Sequence, residues 1–97
     1  MTPRFSVEIS REFDRLARRL TDQHPQDFPP RYAEAIRILE SDPHNVSRQH
    51  PIAKLKGVGA GAGQYRLRLG RFRFRYDIAG AVVELVRCAL RREDTYD

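Results

Sequence analysis

The sequence predicts an α+β fold, a two-layer sandwich in which a helical hairpin packs on one face of an antiparallel meander. Three observations support this fold class. Residues 64–76 alternate arginine with large apolar side chains, which is the period of two expected of β-strands. Residues 10–22 and 30–41 repeat apolar side chains with the period of an amphipathic helix. Residues 81–88 form a mostly apolar run of the length of a buried strand. With a further strand before the helices, the predicted order is β-α-α-β-β-β, in a single domain spanning residues 1–97.

The first half of the chain supplies a strand and two helices. Residues 4–9 alternate apolar and polar side chains, and the apolar face of this strand is predicted to consist of Phe5, Val7 and Ile9. Ser10 is placed to cap the next helix, whose core stripe is Phe13, Leu16, Ala17 and Leu20. The second helix is predicted to begin near Pro30, to end before Pro43 and to bury Tyr32, Ala35, Ile36 and Leu39.

The second half supplies the meander. Residues 43–63 are predicted to be mostly loop, with a glycine-alanine run at 57–63 that lacks the Lys-Ser/Thr ending of a phosphate-binding P-loop. This run is therefore expected to be a flexible connector. Two strands at 64–69 and 71–78 follow, and after a turn at Ala79-Gly80 comes the third, in which Cys88 is expected to be buried.

Composition restricts the chemistry. The 97 residues carry a formal net charge of +5, which favours nucleic acid, an anionic surface or an acidic protein as partner. One cysteine permits neither an internal disulfide nor a thiolate zinc site, and the three histidines are scattered in predicted loops. We therefore expect no metal and no cofactor. Because no apolar run reaches the length of a membrane span and no signal peptide is recognisable, we expect a cytoplasmic protein without a membrane partner.

The alternation in residues 64–76 separates two chemically opposite faces. One face is apolar and must be buried, while the other carries Arg66, Arg68, Arg71, Arg73 and Arg75, with Arg71 in the turn. Adjacent guanidinium groups repel one another and are costly to bury without a partner. The arginine side is therefore a candidate surface for a polyanion, with an acidic protein partner or plain solvation as the alternatives.

Four segments, in this order, resemble the RelE/ParE toxin superfamily and in particular RelE-like type II toxins: Lys54-Leu55-Lys56-Gly57, Tyr65-Arg66-Leu67-Arg68, Arg73-Phe74-Arg75-Tyr76 and Arg91-Arg92-Glu93-Asp94-Thr95-Tyr96. The resemblance extends from the first strand to Tyr96. It implies the toxin of a toxin–antitoxin pair, neutralised by a cognate antitoxin protein. RelE-like members cleave mRNA on the ribosome, whereas ParE-like members bind and poison DNA gyrase.

The resemblance also implies site residues. The family's catalytic positions fall on Arg66, Arg68, Arg73, Arg91 and Tyr96. Nearby cations are candidate contacts to RNA or the ribosome, namely Lys54, Lys56, Arg71, Arg75 and Arg92. RelE-type sequences often have lysine at the first two catalytic positions, and several have a histidine near Leu90 or Arg91 that is missing here. Since arginine does not release its proton in proteins, the general base remains open among Tyr96, His50, Glu93 and Asp94.

The leading functional hypothesis is a metal-independent, ribosome-dependent endoribonuclease that uses the ribose 2′-OH as nucleophile and arrests growth by inhibiting translation. The alternative is a ParE-like, non-enzymatic inhibitor of DNA gyrase, and the absence of a histidine near Leu90 or Arg91 supports this alternative. The filled basic positions on the meander favour the nuclease.

Overall fold

A computed structural model describes residues 4–91 of the chain. Its elements follow one another as β1 (Ser6–Ile9), α1 (Arg11–Gln23), α2 (Phe28–Ser41), β2 (Ile52–Lys54), β3 (Tyr65–Leu69), β4 (Phe72–Ala79) and β5 (Val82–Leu90). The two helices pack on one face of the sheet, so the predicted α+β class is confirmed.

The sheet has five strands in the order β1-β5-β4-β3-β2. The predicted antiparallel meander is formed by β3, β4 and β5, and β1 joins its edge parallel to β5. The strand β2 is an addition, because it lies within the predicted loop at 43–63 and pairs antiparallel with β3. With three residues, β2 is too short to show a periodic pattern in the sequence.

Ser10 joins the helical layer to the sheet. Its hydroxyl accepts a hydrogen bond from the Phe13 backbone N–H at 3.0 Å, which confirms the predicted N-cap of α1. The same hydroxyl donates to the Val86 carbonyl at 3.0 Å. The beginning of α1 is thereby held against the middle of β5. The second helix begins at Phe28, two positions before the predicted Pro30, and ends at Ser41.

Aromatic rings fill the space between the helices and the sheet. Phe13, Phe28, Phe74 and Tyr76 are fully buried, and the ring centroids of Phe28 and Phe72 lie 5.1 Å apart. The Tyr76 hydroxyl satisfies its burial by donating to the Pro43 carbonyl at 2.7 Å. The predicted burial of Cys88 is also confirmed.

Some predicted core positions lie at the margin of this layer. Leu16, Tyr32 and Ile36 are only partly buried against the core, and Ile9 is 43% exposed. Leu16 lies where α1 packs beside β5. Its side chain also lines a cleft that opens on the sheet face opposite the helices. Neither α1 nor α2, the helices found within residues 4–91, is long and apolar enough to cross a membrane.

Candidate nucleic-acid interface

The sheet face turned away from the helices carries opposed arginines on three neighbouring strands. The register places Arg66 opposite Arg75 and Arg68 opposite Arg73, and across the next pair of strands Arg75 lies opposite Arg87. We call the face formed by Arg66, Arg68, Arg73, Arg75 and Arg87 the arginine face. Like charges directly opposite each other destabilise a sheet. The arginine side chains concentrate positive charge on one side of the sheet, which is a surface suited to an anion.

Arg87 reaches this face because of a bulge. The pairing of β4 with β5 shifts register between Arg75 and Tyr76, so that Arg75 opposes Arg87 while Tyr76 opposes Leu85. Val86 is thereby the extra residue in β5. In a regular strand, residues 85 and 87 would share a face. The bulge lets Leu85 remain in the core and turns Arg87 to the opposite side.

A cleft of about 510 Å³ opens on the arginine face. Its cationic lining comes from Lys56, Arg66, Arg73, Arg75 and Arg87, and its apolar lining from Leu16, Leu55, Val58, Cys88 and Ala89. No acidic side chain is among the residues of 4–91 that line it. A site of this composition binds a phosphate through the cations and accommodates an apolar or aromatic group against the aliphatic side chains.

Residues 55–64, which we call the roof loop, form one side of the cleft. The Arg75 guanidinium donates from Nε to the Gly63 carbonyl at 2.8 Å and from Nη2 to the Ala62 carbonyl at 3.0 Å. The Asp77 carboxylate accepts hydrogen bonds from the backbone N–H groups of Gly63 and Gln64. Both carbonyl and N–H groups of the roof loop are thus hydrogen-bonded to side chains of β4. The sequence had predicted a flexible connector here.

The conformation of Gly63 makes this attachment possible. Gly63 has a φ of +82°, which L-residues rarely adopt, and a Cβ built on it would lie 2.9 Å from the Arg75 Cβ. The Gln64 amide then closes the loop on itself by donating to the Val58 carbonyl at 3.0 Å. The loop therefore presents Leu55, Lys56 and Val58 to the cleft in a fixed arrangement.

The structure brings some of the predicted site residues together and separates others. Arg66, Arg73, Arg75 and Lys56 line the cleft, and Arg68 lies on the same face beside them, opposite Arg73. Lys54 pairs with Tyr65 across β2 and β3, and its ammonium group lies 5.6 Å from the centre of the Tyr65 ring, on the helix side of the sheet.

Three further predicted positions lie elsewhere. The Arg71 side chain extends from the β3–β4 turn toward α2, with Nη2 3.1 Å from the Asp27 carboxylate. Arg91 is exposed, and its backbone N–H donates to the Arg71 carbonyl. His50 is not part of the cleft, since its Nε2 lies 3.8 Å from the Asp42 carboxylate. Arg92, Glu93, Asp94 and Tyr96 lie outside the described residues.

The protonation chemistry of the described lining is limited. Arginine stays charged at any pH at which proteins fold, so of these residues only Lys56 and Cys88 carry a group that can lose a proton. Burial raises the pKa of the Cys88 thiol to about 12, which makes it unreactive near neutral pH. Within residues 4–91 no group of three or more His, Cys, Asp or Glu side chains is placed to hold a metal ion. The described lining is therefore suited to stabilising negative charge, and besides its cations it offers only the buried Cys88 thiol, a poor proton donor or acceptor.

Comparison with known proteins identifies one similar architecture. No family model matches the sequence, and no curated protein matches it. Among solved structures, a chain of the archaeal RelE-RelB complex from Pyrococcus horikoshii OT3 is similar with a TM-score of 0.67 and 25% sequence identity. The similarity covers 93% of this chain and 98% of that one. It agrees with the motifs of the meander and with the helical hairpin packed behind them, and the protein has the fold of a RelE-like toxin.

Proposed function

We propose that the protein is the toxin of a type II toxin–antitoxin pair and that it cleaves mRNA on the translating ribosome. The observation that carries the proposal is the arginine face itself. Opposed arginines on three neighbouring strands concentrate positive charge on one side of the sheet, and guanidinium groups bind the oxygens of phosphates. RNA is a polyanion with a nucleophile of its own, the ribose 2′-OH. The same fold in a chain of the RelE-RelB complex supports the toxin assignment.

The chemistry we propose is a transesterification. The 2′-oxygen attacks the adjacent phosphorus, the bond from phosphorus to the 5′-oxygen breaks, and the products are a 2′,3′-cyclic phosphate and a 5′-hydroxyl. Arg66, Arg73 and Arg87 donate hydrogen bonds to the non-bridging oxygens, where negative charge grows in the transition state. Arg68 on the same face contributes to the positive field. The dominant catalytic term is therefore electrostatic stabilisation.

Proton transfer requires groups beyond these arginines. A base must accept the 2′-OH proton and an acid must protonate the departing 5′-oxygen. We propose Tyr96, with Glu93 and Asp94 as the competing candidates, because positive neighbours favour the phenolate form of a tyrosine. His50 is a weaker candidate, since it lies beside Asp42 and not in the cleft. Arg91 and Arg92 are proposed as phosphate contacts next to Tyr96.

A protein partner is part of the same proposal. The structurally similar chain comes from a complex of RelE with RelB. We propose that this toxin likewise has a cognate antitoxin, with acidic residues where it crosses the arginine face. The filled cationic positions of the cleft support RNA as the target, and we give them more weight than the missing histidine near Leu90, which is the argument for the ParE-like alternative of gyrase inhibition.

The test compares two arginine substitutions after induction in a bacterial host. Arg73→Ala removes a cation that lines the cleft, and Arg37→Ala removes an exposed arginine on α2, in the helical layer behind the sheet. Primer extension on cellular mRNAs should show new cuts within translated codons for the wild type and for Arg37→Ala, and none for Arg73→Ala. Thermal melts of both purified variants verify folding.

Two results would count against the proposal. Unchanged cutting by Arg73→Ala would show that the cleft is not the site. Growth arrest with intact mRNA would indicate another target, and trapped gyrase–DNA complexes would then identify the ParE-like activity.

A further inference from the structure

The cleft opens toward helix α1 at its β5 side. Leu16 of α1 and Arg87 of β5 both line it, so the two elements meet at its rim. Beyond that rim, Nη2 of Arg87 lies 3.8 Å from the Glu12 carboxylate on α1. The positive surface of the sheet is therefore continuous with the side chains of this helix.

Helical spacing places two more arginines at this rim. Glu12, Arg15, Leu16 and Arg19 follow the i, i+3, i+4, i+7 spacing that puts side chains along one side of a helix. Because Leu16 lines the cleft and Glu12 contacts Arg87, Arg15 and Arg19 flank the same opening. We call Arg15 and Arg19 the rim arginines.

Glu12 does not neutralise this group. Its carboxylate lies 2.9 Å from Nη2 of Arg15, and its pKa is lowered chiefly by the hydrogen bond from Arg15, with Arg87 and Arg19 adding to the effect. Among the described residues at this rim, one carboxylate thus faces three guanidinium groups, so their positive charge is in excess of its negative charge. The Arg15 and Arg87 side chains are each 56% exposed, so they are accessible to a ligand.

We propose that the rim arginines form a second phosphate-binding segment, so that an RNA strand longer than the cleft runs over the edge of β5 and along α1. This inference rests on the proposed function and extends its site. An acidic protein segment would also be attracted, but protein interfaces need apolar area as well. Within residues 4–91 the exposed large hydrophobic side chains are Ile9, at the end of β1, and Val46, in the loop between α2 and β2, and neither belongs to α1. Exposed arginines with little apolar surface suit a phosphate backbone.

The same helix provides a matched control. Arg11 and Arg18 lie on the neighbouring, solvent-facing side of α1, together with Asp14, whose carboxylate is 3.1 Å from Nε of Arg18. The double variants Arg15→Ala/Arg19→Ala and Arg11→Ala/Arg18→Ala remove the same charge from the same helix. Each also removes one ion pair with an acidic residue of the first turn. A difference between them therefore reports position and not net charge.

Binding is measured with 2′-O-methyl RNA, which lacks the attacking hydroxyl, at lengths of about 4 and about 16 nucleotides. Fluorescence anisotropy across a salt series gives the affinity and its slope against salt. The wild type should bind the long strand with the steeper slope. Loss of both rim arginines should reduce that slope by about 1.4, which is about a sevenfold change in relative affinity between 50 and 200 mM salt. Binding of the short strand should change less than about twofold.

The possible results distinguish a failure of the rim segment from a failure of the proposed RNA-binding function. A selective loss of long-strand binding in Arg15→Ala/Arg19→Ala supports the rim segment. Equal losses of long-strand binding in the two double variants overturn it. It is also overturned if Arg15→Ala/Arg19→Ala binds the long strand like the wild type while Arg73→Ala abolishes binding of both lengths. If a glutamate peptide of similar length binds the rim more tightly than RNA does, an acidic protein is the ligand there and the inference fails. If Arg73→Ala binds both RNAs like the wild type, the proposed function fails with it.

Discussion

Replacing Gly63 by alanine should destabilise the protein by about 3 kcal/mol, of which about 1–2 kcal/mol comes from its left-handed backbone. The structure supplies two separate reasons. The φ of +82° is unfavourable for any residue with a side chain, and the new Cβ would lie 2.9 Å from the Arg75 Cβ. Relief of that contact displaces Arg75 from the half-buried hydrogen bond between its Nε and the Gly63 carbonyl. A charged hydrogen bond in this setting contributes about 1.5 kcal/mol.

Other glycines of the roof loop separate these two effects. Gly61 has a φ of +90° but open space around its Cβ position, so Gly61→Ala should lower stability by only about 1–2 kcal/mol. Gly59 has neither constraint, and Gly59→Ala should be neutral or stabilising by up to about 1 kcal/mol.

Thermal melts followed by circular dichroism measure the series. A loss of about 3 kcal/mol in a domain of this size lowers Tm by about 12–24 °C, and the loss of about 1–2 kcal/mol expected at Gly61 lowers it by about 4–16 °C, so Gly63→Ala should melt at the lower temperature of the two. If Gly63→Ala and Gly61→Ala melt at the same temperature, the close approach of the loop to Arg75 contributes nothing and the reasoning is refuted.

Three further predictions concern buried or hydrogen-bonded groups. Tyr76→Phe should lower the free energy of unfolding by about 1–3 kcal/mol, because the Pro43 carbonyl loses its donor; an unchanged urea midpoint would contradict this. Burial raises the pKa of the Asp42 carboxyl, but hydrogen bonds from Ser47 and nearby backbone amides outweigh it and the net pKa is lowered. This contribution to stability is present above the unfolded value of about 3.9 and is lost as the pH falls through the lowered folded pKa, so Asp42→Asn should flatten the acid limb below about pH 4. Cys88, with a pKa raised by burial to about 12, should react with iodoacetamide at pH 8 only in denaturant, and rapid labelling of the native protein would disprove its burial.

The periodic parts of the sequence predict the fold well. Alternation in β3 and β4 is a local property, and it places Leu67 and Phe74 in the core and Arg66 and Arg73 on the opposite face without knowledge of the partners. The capping role of Ser10 is equally local. Pairing between distant segments is different, because the parallel contact of β1 with β5 has no signature in either strand alone.

The candidate site is predicted only in part for the same reason. The bulge at Val86 changes which residues of β5 share a face, and a strict alternation would have placed Arg87 with Leu85. The contribution of the roof loop depends on hydrogen bonds that Arg75 donates and Asp77 accepts. Their partners are backbone groups of residues 62–64, which show no sequence pattern. Lys54 and Lys56 look equivalent in the sequence, yet β2 ends at Lys54 and only Lys56 lies at the cleft.

The placement of β1 beside β5 has a consequence for how the protein reaches its native state. Ser10 and Val86, which join the beginning of α1 to β5, are 76 positions apart in the chain. During synthesis, α1 and α2 emerge with apolar stripes that have no sheet to cover them until β3, β4 and β5 follow. Closing so long a loop before its contacts form slows folding. The apolar stripes of the nascent helices are thus accessible to aggregation and to chaperones until the meander strands have emerged, and the cleft is assembled only when β5 brings Arg87 into register.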